Sequence, residues 1–525
     1  MTAGTGTDTG RDTGSDADVR ALVLRTLLPG FAGTELPDWV DALLRQGLGG
    51  VCVFGENIRS REQLRVLTDA IRAANPDAVI AIDEEGGDVT RLYYDEGSPF
   101  PGNAVLGLLD DEERTEAVAR RVGRELRRVG CTLDFAPVVD VNSNPDNPVI
   151  GVRSFGADAA DVARHSVAWV RGLQSTGVAA SAKHFPGHGD TAEDSHLSLP
   201  VVDRSVEELL ERELLPFAAA IDAGVRTIMT SHILLPQLDA RNPATLSADV
   251  LGGLLRGRLG FEGLIITDAL DMAGASGGAG IPDAAARALA AGCDLLCIGT
   301  DNTASQLAEI VEAVERAVAA GALTEARLAD AAGRVVALAR SLPAPEPGDS
   351  APASDVTDGT PWDSALVGAF RAGASPLGGP ERAALAAGFG PRGERPLALV
   401  RIDSHPSLAI GRAPWGPFAE LEAAEAQTEA PDWSDVPVLA IAEDAPGVPD
   451  ELPPDARVLV VGRSLHLHPW ATAAVDALRA SGRDVLVVDM GWPGADRRYA
   501  DLATFGASRA VGRAFLALLA GEAPG

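Results

Sequence analysis

The side chains able to do chemistry in this 525-residue chain gather in a few short stretches, each at the end of an apolar run. One is Asp83-Glu84-Glu85-Gly86-Gly87. A second run leads into Asp140 and a loop carrying Arg153. A third ends in Lys183-His184 and opens the stretch FPGHGDTAEDSH. A fourth ends at His232, and a fifth, Leu264-Ile265-Ile266-Thr267, ends in Asp268. Strand-end Asp and His residues also serve as loop caps, but so many ionisable groups in equivalent positions read as one site. A carboxylate at the Asp268 position can attack an acetal carbon or stabilise an oxocarbenium-like transition state. Asp194 lies two residues before His196, close enough to orient an imidazole that moves a proton near neutrality. Asp271 is expected to cap the next helical segment. A zinc reading of His184, His188, Asp190, Asp194 and His196 needs a helix to bring the rings to one face, and Pro186, Gly187 and Gly189 oppose one. No metal and no cofactor are expected.

These stretches need a scaffold. Eight apolar runs separated by amphipathic segments occur before residue 343: Leu22–Leu28, Gly50–Phe54, Ala78–Ile82, Thr132–Pro137, Val178–His184, Thr227–His232, Leu264–Leu270 and Cys293–Ile298. Eight such units predict an α/β fold, a (β/α)8 TIM-like barrel, whose reactive groups project from strand C-termini. The runs are continuous rather than alternating, as in strands buried on both faces. The first reads equally as the end of a helix. Residues 1–18 read as a disordered tail, 19–342 as the barrel, and 343–361, rich in Pro, Ser, Asp and Gly, as a linker. Residues 362–525 alternate helices with runs at Leu397–Ile402, Pro437–Ala442, Val458–Val461 and Val485–Asp489, which predicts a smaller α/β (αβα) sandwich domain.

Composition narrows the partners. A formal charge of −31 excludes clustered phosphate contacts with nucleic acid and adhesion to anionic lipid. No apolar stretch reaches the ~20 residues of a membrane span. The N-terminus has no apolar h-region, so a cytoplasmic monomer is expected. The four cysteines fall in or beside apolar runs and are expected to be small core residues.

The stretches GLGGVCVFGENI, AIDEEGGDVTRL, DFAPVVDVNSNPDNPVIGVRSFG, AKHFPGHGDTAEDSH and PATLSADVLGGLLRGRLGFEGLIITDALDM follow one another in the order found in glycoside hydrolase family 3. The sequence resembles the bacterial β-N-acetylglucosaminidase branch of that family, in its two-domain form. The resemblance implies a retaining exo-acting β-N-acetylhexosaminidase acting on terminal N-acetylglucosamine of muropeptide fragments or oligosaccharides, in peptidoglycan turnover. It makes Asp268 the nucleophile and Asp194–His196 the acid/base dyad. It implies sugar binding by Asp83, Arg91, Arg153, Lys183 and His184, with His232 and Met272 as pocket neighbours. Two positions depart from the family: Glu84, where Gln or His is usual, and Asp88, where Arg or a small residue is common. Both are expected to make the rim acidic, which counts against anionic substrates.

Four other readings compete. Substrate-assisted hydrolysis would use an acidic pair such as Asp83-Glu84-Glu85, but leaves Asp268 and the D-S-H loop without a role. A family 3 β-glucosidase or an N-acetylglucosamine phosphorylase keeps the nucleophile and changes the sugar or the acceptor. An inactive sugar-binding barrel needs neither nucleophile nor proton shuttle.

Overall fold

The computed structural model describes residues 13–191, 199–276, 279–343, 362–373, 375–393, 395–404, 409–427, 433 and 435–521. Eight parallel strands form the first domain: β1 (Leu27–Pro29), β2 (Gly50–Val53), β3 (Val79–Ile82), β4 (Leu133–Asp134), β5 (Ala179–Phe185), β6 (Thr227–Thr230), β7 (Leu264–Ile266) and β8 (Leu296–Gly299). Strands β2 to β7 form one ladder in chain order, β8 pairs with β1, and an Ile266–Leu295 bridge joins β7 to β8. β1 and β2 lie side by side without a shared ladder, and just ahead of them Gly49 N–H donates to Leu24 O, at the end of the preceding helix, at 2.9 Å. The first apolar run is divided: a helix spans Thr13–Arg25, and the strand starts only at Leu27.

The continuous apolar runs have a simple cause. Alternate side chains of each strand point opposite ways. Leu28, Cys52, Ala81, Leu133, Ala179, Met229, Ile266 and Cys297 fill the barrel interior. Val51, Ile80, Ala180, Ile228, Ile265 and Leu296 face the surrounding helices. Those helices carry their own start and stop signals. The helix Arg61–Ala74 begins where the Ser60 side chain accepts from Gln63 N–H, and it buries Leu64, Leu67, Thr68 and Ile71 at the i, i+3, i+4, i+7 spacing of one face. The helix Glu112–Val129 is capped by Asp111 and ends at Gly130, whose φ of 84° suits a residue without a Cβ.

The second domain is built on β9 (Leu397–Asp403), β10 (Val438–Ala442), β11 (Arg457–Gly462) and β12 (Val485–Asp489). They lie parallel in the order β10-β9-β11-β12, extended by Leu502–Ala503 and then by two short antiparallel segments. Leu399, Leu459 and Val488 cover one face with Ala510, Val511 and Phe515 of the helix Arg509–Ala520. Val400, Val460 and Val487 cover the other with Ala471, Val475 and Leu478 of the helix Pro469–Ala480. The result is the three-layer sandwich expected. Most of the proposed linker, residues 344–361, lies outside the described residues.

The loop after β3 holds the two domains together. Asp88 Oδ1 accepts Ala507 N–H at 2.7 Å, Arg91 Nη2 donates to Ala409 O at 2.8 Å, and Tyr94 Oη accepts Arg412 N–H at 3.2 Å. Asp88 Oδ2 is buried as well. Asp88 is therefore not a charge on an open rim, as the sequence suggested, but an acceptor for the second domain. Among the described residues no helix is long and apolar enough to cross a membrane.

Candidate active site

A cavity of about 380 Å³ opens at the C-terminal ends of the barrel strands. Asp83, Arg91, Arg153, Lys183, His184, Asp268 and Met272 all line it, with Cys52, Phe135, Met229 and Cys297 deeper in the barrel. The cavity is therefore open at one end and closed by core residues at the other.

One wall is a compact ion cluster. Lys183 Nζ, at the end of β5, lies 2.6 Å from both Asp83 Oδ1 and Glu85 Oε1. Arg153 grips Glu85 with two bonds, 2.9 Å from Nε and 2.7 Å from Nη2. Burial alone would push the Glu85 carboxyl up, but Arg153 and Lys183 outweigh it and hold the group far below the usual carboxylate range. Burial also works against charge on Lys183, and Asp83 and Glu85 restore it, so its affinity for a proton rises. Two cations thus stand fixed against two anions. Sugar hydroxyls, which donate and accept, suit such a wall.

Glu85 was legible in the sequence only as one member of an acidic run, yet it joins both cations. Glu85→Ala leaves Lys183 and Arg153 buried with half of their counter-charge. We expect a loss of about 3–5 kcal/mol in unfolding free energy, measured by chemical denaturation. Because the Glu85 pKa is depressed on folding, its stabilisation is complete above the carboxyl's ordinary 4.5 and is lost as pH falls below it. The gap between the native protein and the variant should narrow with acid.

His184 is held by its neighbour Asp140: Nδ1 lies 2.7 Å from Asp140 Oδ2, and Arg153 Nη2 lies 3.3 Å from Nε2. Asp140 also accepts His188 N–H at 2.7 Å. Burial, with His184 alongside, lowers the His188 pKa to about 4, so that ring is neutral near pH 7. Its Nδ1 lies 2.7 Å from Thr191 Oγ1, and Asp190 pairs with Arg204 and Arg212. Of the donors considered for zinc, His184, His188 and Asp190 are turned to separate partners, while Asp194 and His196 lie outside the described residues; among the described residues no group of three or more His, Cys, Asp or Glu side chains is placed to hold a metal.

Asp268 stands two residues past β7, where Thr267 is tied to β8 by its N–H to Leu295 O at 3.0 Å and by Cys297 N–H to its own Oγ1 at 2.9 Å. Two placements differ from expectation. His232 does not line the cavity: it is fully buried behind the loop that follows β7, its Nε2 3.0 Å from Ala269 O. A carbonyl can only accept, so Nε2 carries the proton and braces that loop. Asp271 lines the cavity rather than simply capping a helix; its Oδ2 accepts Thr300 N–H at 3.2 Å from the loop after β8.

Asp194 and His196 lie outside the described residues, but the chain on either side of them is well fixed. Before them, Asn144 Nδ2 donates to Thr191 O at 3.1 Å and Asn147 Nδ2 to His188 O at 2.8 Å. A Cβ on Gly189 would stand 1.8 Å from Val141 O, so only glycine permits this approach. After them, Leu234 N–H donates to Pro200 O at 2.9 Å, just past the end of β6.

Residues 34–338 match the Glycosyl hydrolase family 3 N terminal domain. The chain belongs to glycosyl hydrolase family 3. It is a glycoside hydrolase. A family 3 β-N-acetylglucosaminidase from Paenibacillus sp. str. FPU-7 superposes with a TM-score of 0.82 at 30% identity, over 96% of this chain and 97% of that one. Among curated family relatives, a β-hexosaminidase of Methylococcus capsulatus is 40% identical over 299 residues, 56% of this chain and 87% of its own length. The β-hexosaminidase A of Pseudoalteromonas piscicida is 37% identical over 342 residues, and this chain spans 56% of its length. A β-N-acetylhexosaminidase from Beutenbergia cavernae has a TM-score of 0.57 at 31% identity, over 61% of this chain and 98% of that one.

Proposed function

We propose that this family 3 enzyme removes terminal β-linked N-acetylglucosamine with net retention, using Asp268 as nucleophile and Asp194–His196 as the acid/base pair. The observation that carries this reading is one cavity, closed at its inner end, in which Asp268 faces the same space as the Asp83–Lys183–Glu85–Arg153 cluster. A closed inner end accommodates a chain terminus and stops further sugars from passing, which suits exo action. The names of the Methylococcus and Paenibacillus proteins support the sugar.

The steps follow from the groups. The Asp268 carboxylate attacks the anomeric carbon as the bond to the aglycone oxygen breaks, and that oxygen takes the proton of His196. His196, now neutral, takes a proton from water. The water oxygen attacks the same carbon and frees Asp268. Asp194 orients the ring and stabilises its charged form. Asp83, Lys183, Arg153, His184 and Arg91 fix the sugar hydroxyls, and Met272 supplies an apolar contact. The aglycone we take to be a muropeptide fragment or an N-acetylglucosamine oligosaccharide, since Asp88 and Glu84 place no open charge at the rim.

We expect kcat/KM on a nitrophenyl N-acetylglucosaminide to exceed that on the glucoside at least ~100-fold, a floor below the ~10⁴-fold by which a site built for hydrogen bonds rejects a substrate lacking one. Comparable rates would make it a β-glucosidase. Proton NMR of the first-formed sugar should show the β-anomer, and an α-anomer would exclude the covalent intermediate. Accumulation of the sugar 1-phosphate in phosphate buffer would make phosphorolysis, not hydrolysis, the reaction.

A further inference from the structure

Glu84 is fully buried one residue beyond Asp83. Its Oε2 accepts three bonds from one turn: Thr90 Oγ1 at 2.9 Å, Arg91 N–H at 2.8 Å and Leu92 N–H at 2.9 Å. Among the described residues its Oε1 has no partner. The turn it grips presents Arg91 to the cavity, and the far end of Arg91 is tied to Ala409 O of the second domain. So one carboxyl oxygen fixes the backbone of a residue assigned to the sugar.

We propose that Glu84 is a positioning residue whose ionisation tightens the 90–92 turn and so sets the affinity of the site for its sugar, giving substrate binding a pH dependence of its own. The proposal rests on Arg91 touching the sugar. Ionised, Glu84 offers three charge-assisted bonds to the turn, and such bonds are about twice as strong as neutral ones. Protonated, it keeps the same three donors on a weaker acceptor. A glutamine accepts the same three donors but never ionises.

The charged and titratable groups around it come from three elements. On its own turn stand Arg91, which favours the anion, and Tyr93, which burial keeps neutral. At its own strand end is Asp83. From β4 come Asp134, whose Oδ1 accepts Glu84 N–H at 2.9 Å and whose Oδ2 is unpartnered, and Cys131 just ahead of it. Burial pushes Asp134 well up, with the Glu84 charge adding to that and Lys183 opposing it. Glu84 itself is raised by burial to about 7, against the pull of its hydrogen bonds. A raised carboxyl pKa means that the proton stabilises the fold. That contribution is present below the ordinary value of 4.5, is lost as pH climbs to about 7, and stays lost above it.

The test is steady-state kinetics on the full chain with a nitrophenyl N-acetylglucosaminide, from about pH 5.5 to about pH 8.5. The native enzyme should show KM falling about fivefold as pH rises through 7. Glu84→Gln should hold KM near the native low-pH value throughout, with kcat within about twofold of native. Thermal unfolding supplies a second reading: Glu84→Gln should gain Tm over the native protein as pH rises from 4.5 to 7, the window of the shift. Parallel KM profiles in the native enzyme and Glu84→Gln overturn the proposal, as does a transition that survives in Glu84→Gln and vanishes in Asp134→Asn. Arg91→Lys separates the two layers of the argument. If it leaves KM unchanged at every pH, the assignment of Arg91 to the sugar fails. If it raises KM while the Glu84→Gln profile still matches native, only the coupling fails.

Discussion

Asp268→Asn should abolish turnover of an N-acetylglucosaminide, by at least about three orders of magnitude in kcat, while the protein still folds. The substitution is nearly isosteric. It keeps an oxygen able to accept Ala269 N–H, which Asp268 Oδ1 now does at 2.8 Å, so that bond of the loop after β7 is preserved. What it loses is the negative charge that must bond to the anomeric carbon. A fluorosugar that stalls the intermediate should become attached to Asp268 in the native enzyme, read by mass spectrometry of the labelled peptide. Labelling of Asp271 would move the nucleophile three residues along; both carboxylates line the cavity, so peptide mapping has to separate them.

The second large effect concerns His196. Loss of a general acid should cost about 10²- to 10⁴-fold where the leaving group is a poor one, such as a sugar hydroxyl, and far less for an activated nitrophenol, which departs unprotonated. His196→Ala should therefore split the two substrate classes, and Asp194→Ala should act in the same direction to a smaller extent. A Brønsted plot of rate against leaving-group pKa measures this directly: steep for the variants, shallow for the native enzyme. Equal losses on every leaving group would make His196 a binding residue only.

The barrel was legible in the sequence because each strand buries both faces, leaving runs such as Ile80–Ile82 and Leu264–Ile266 with no polar interruption. The first run was ambiguous for a physical reason. Val23 and Leu24 are buried aliphatics on a helix, Leu27 and Leu28 are buried aliphatics on a strand, and only Arg25 and Thr26 stand between the two pairs. The strand-end positions of Asp83, Lys183, His184 and Asp268 followed from the barrel rule, and all four line the cavity. What sequence could not supply was burial created by distant chain. Asp88 looks like a rim charge until Ala507, 419 residues on, covers it. Asp271 looks like a helix cap until closure of the ring brings up Thr300. His232 looks like a pocket residue, but its ring faces Thr245 and Ala269 instead.

The loop from Asp88 to Tyr94 gives the two domains a shared grammar. In the Beutenbergia cavernae protein nearly the whole chain corresponds to 61% of this one, whereas here the cavity wall includes Ala409 and the guanidinium of Arg91 rests on its carbonyl. A second domain wired in this way is not a detachable accessory. Grafting it onto another barrel, or exchanging it for a homologous one, transplants part of the sugar site's frame, and a successful chimera has to carry residues 88–94 and 409–412 together as one cassette.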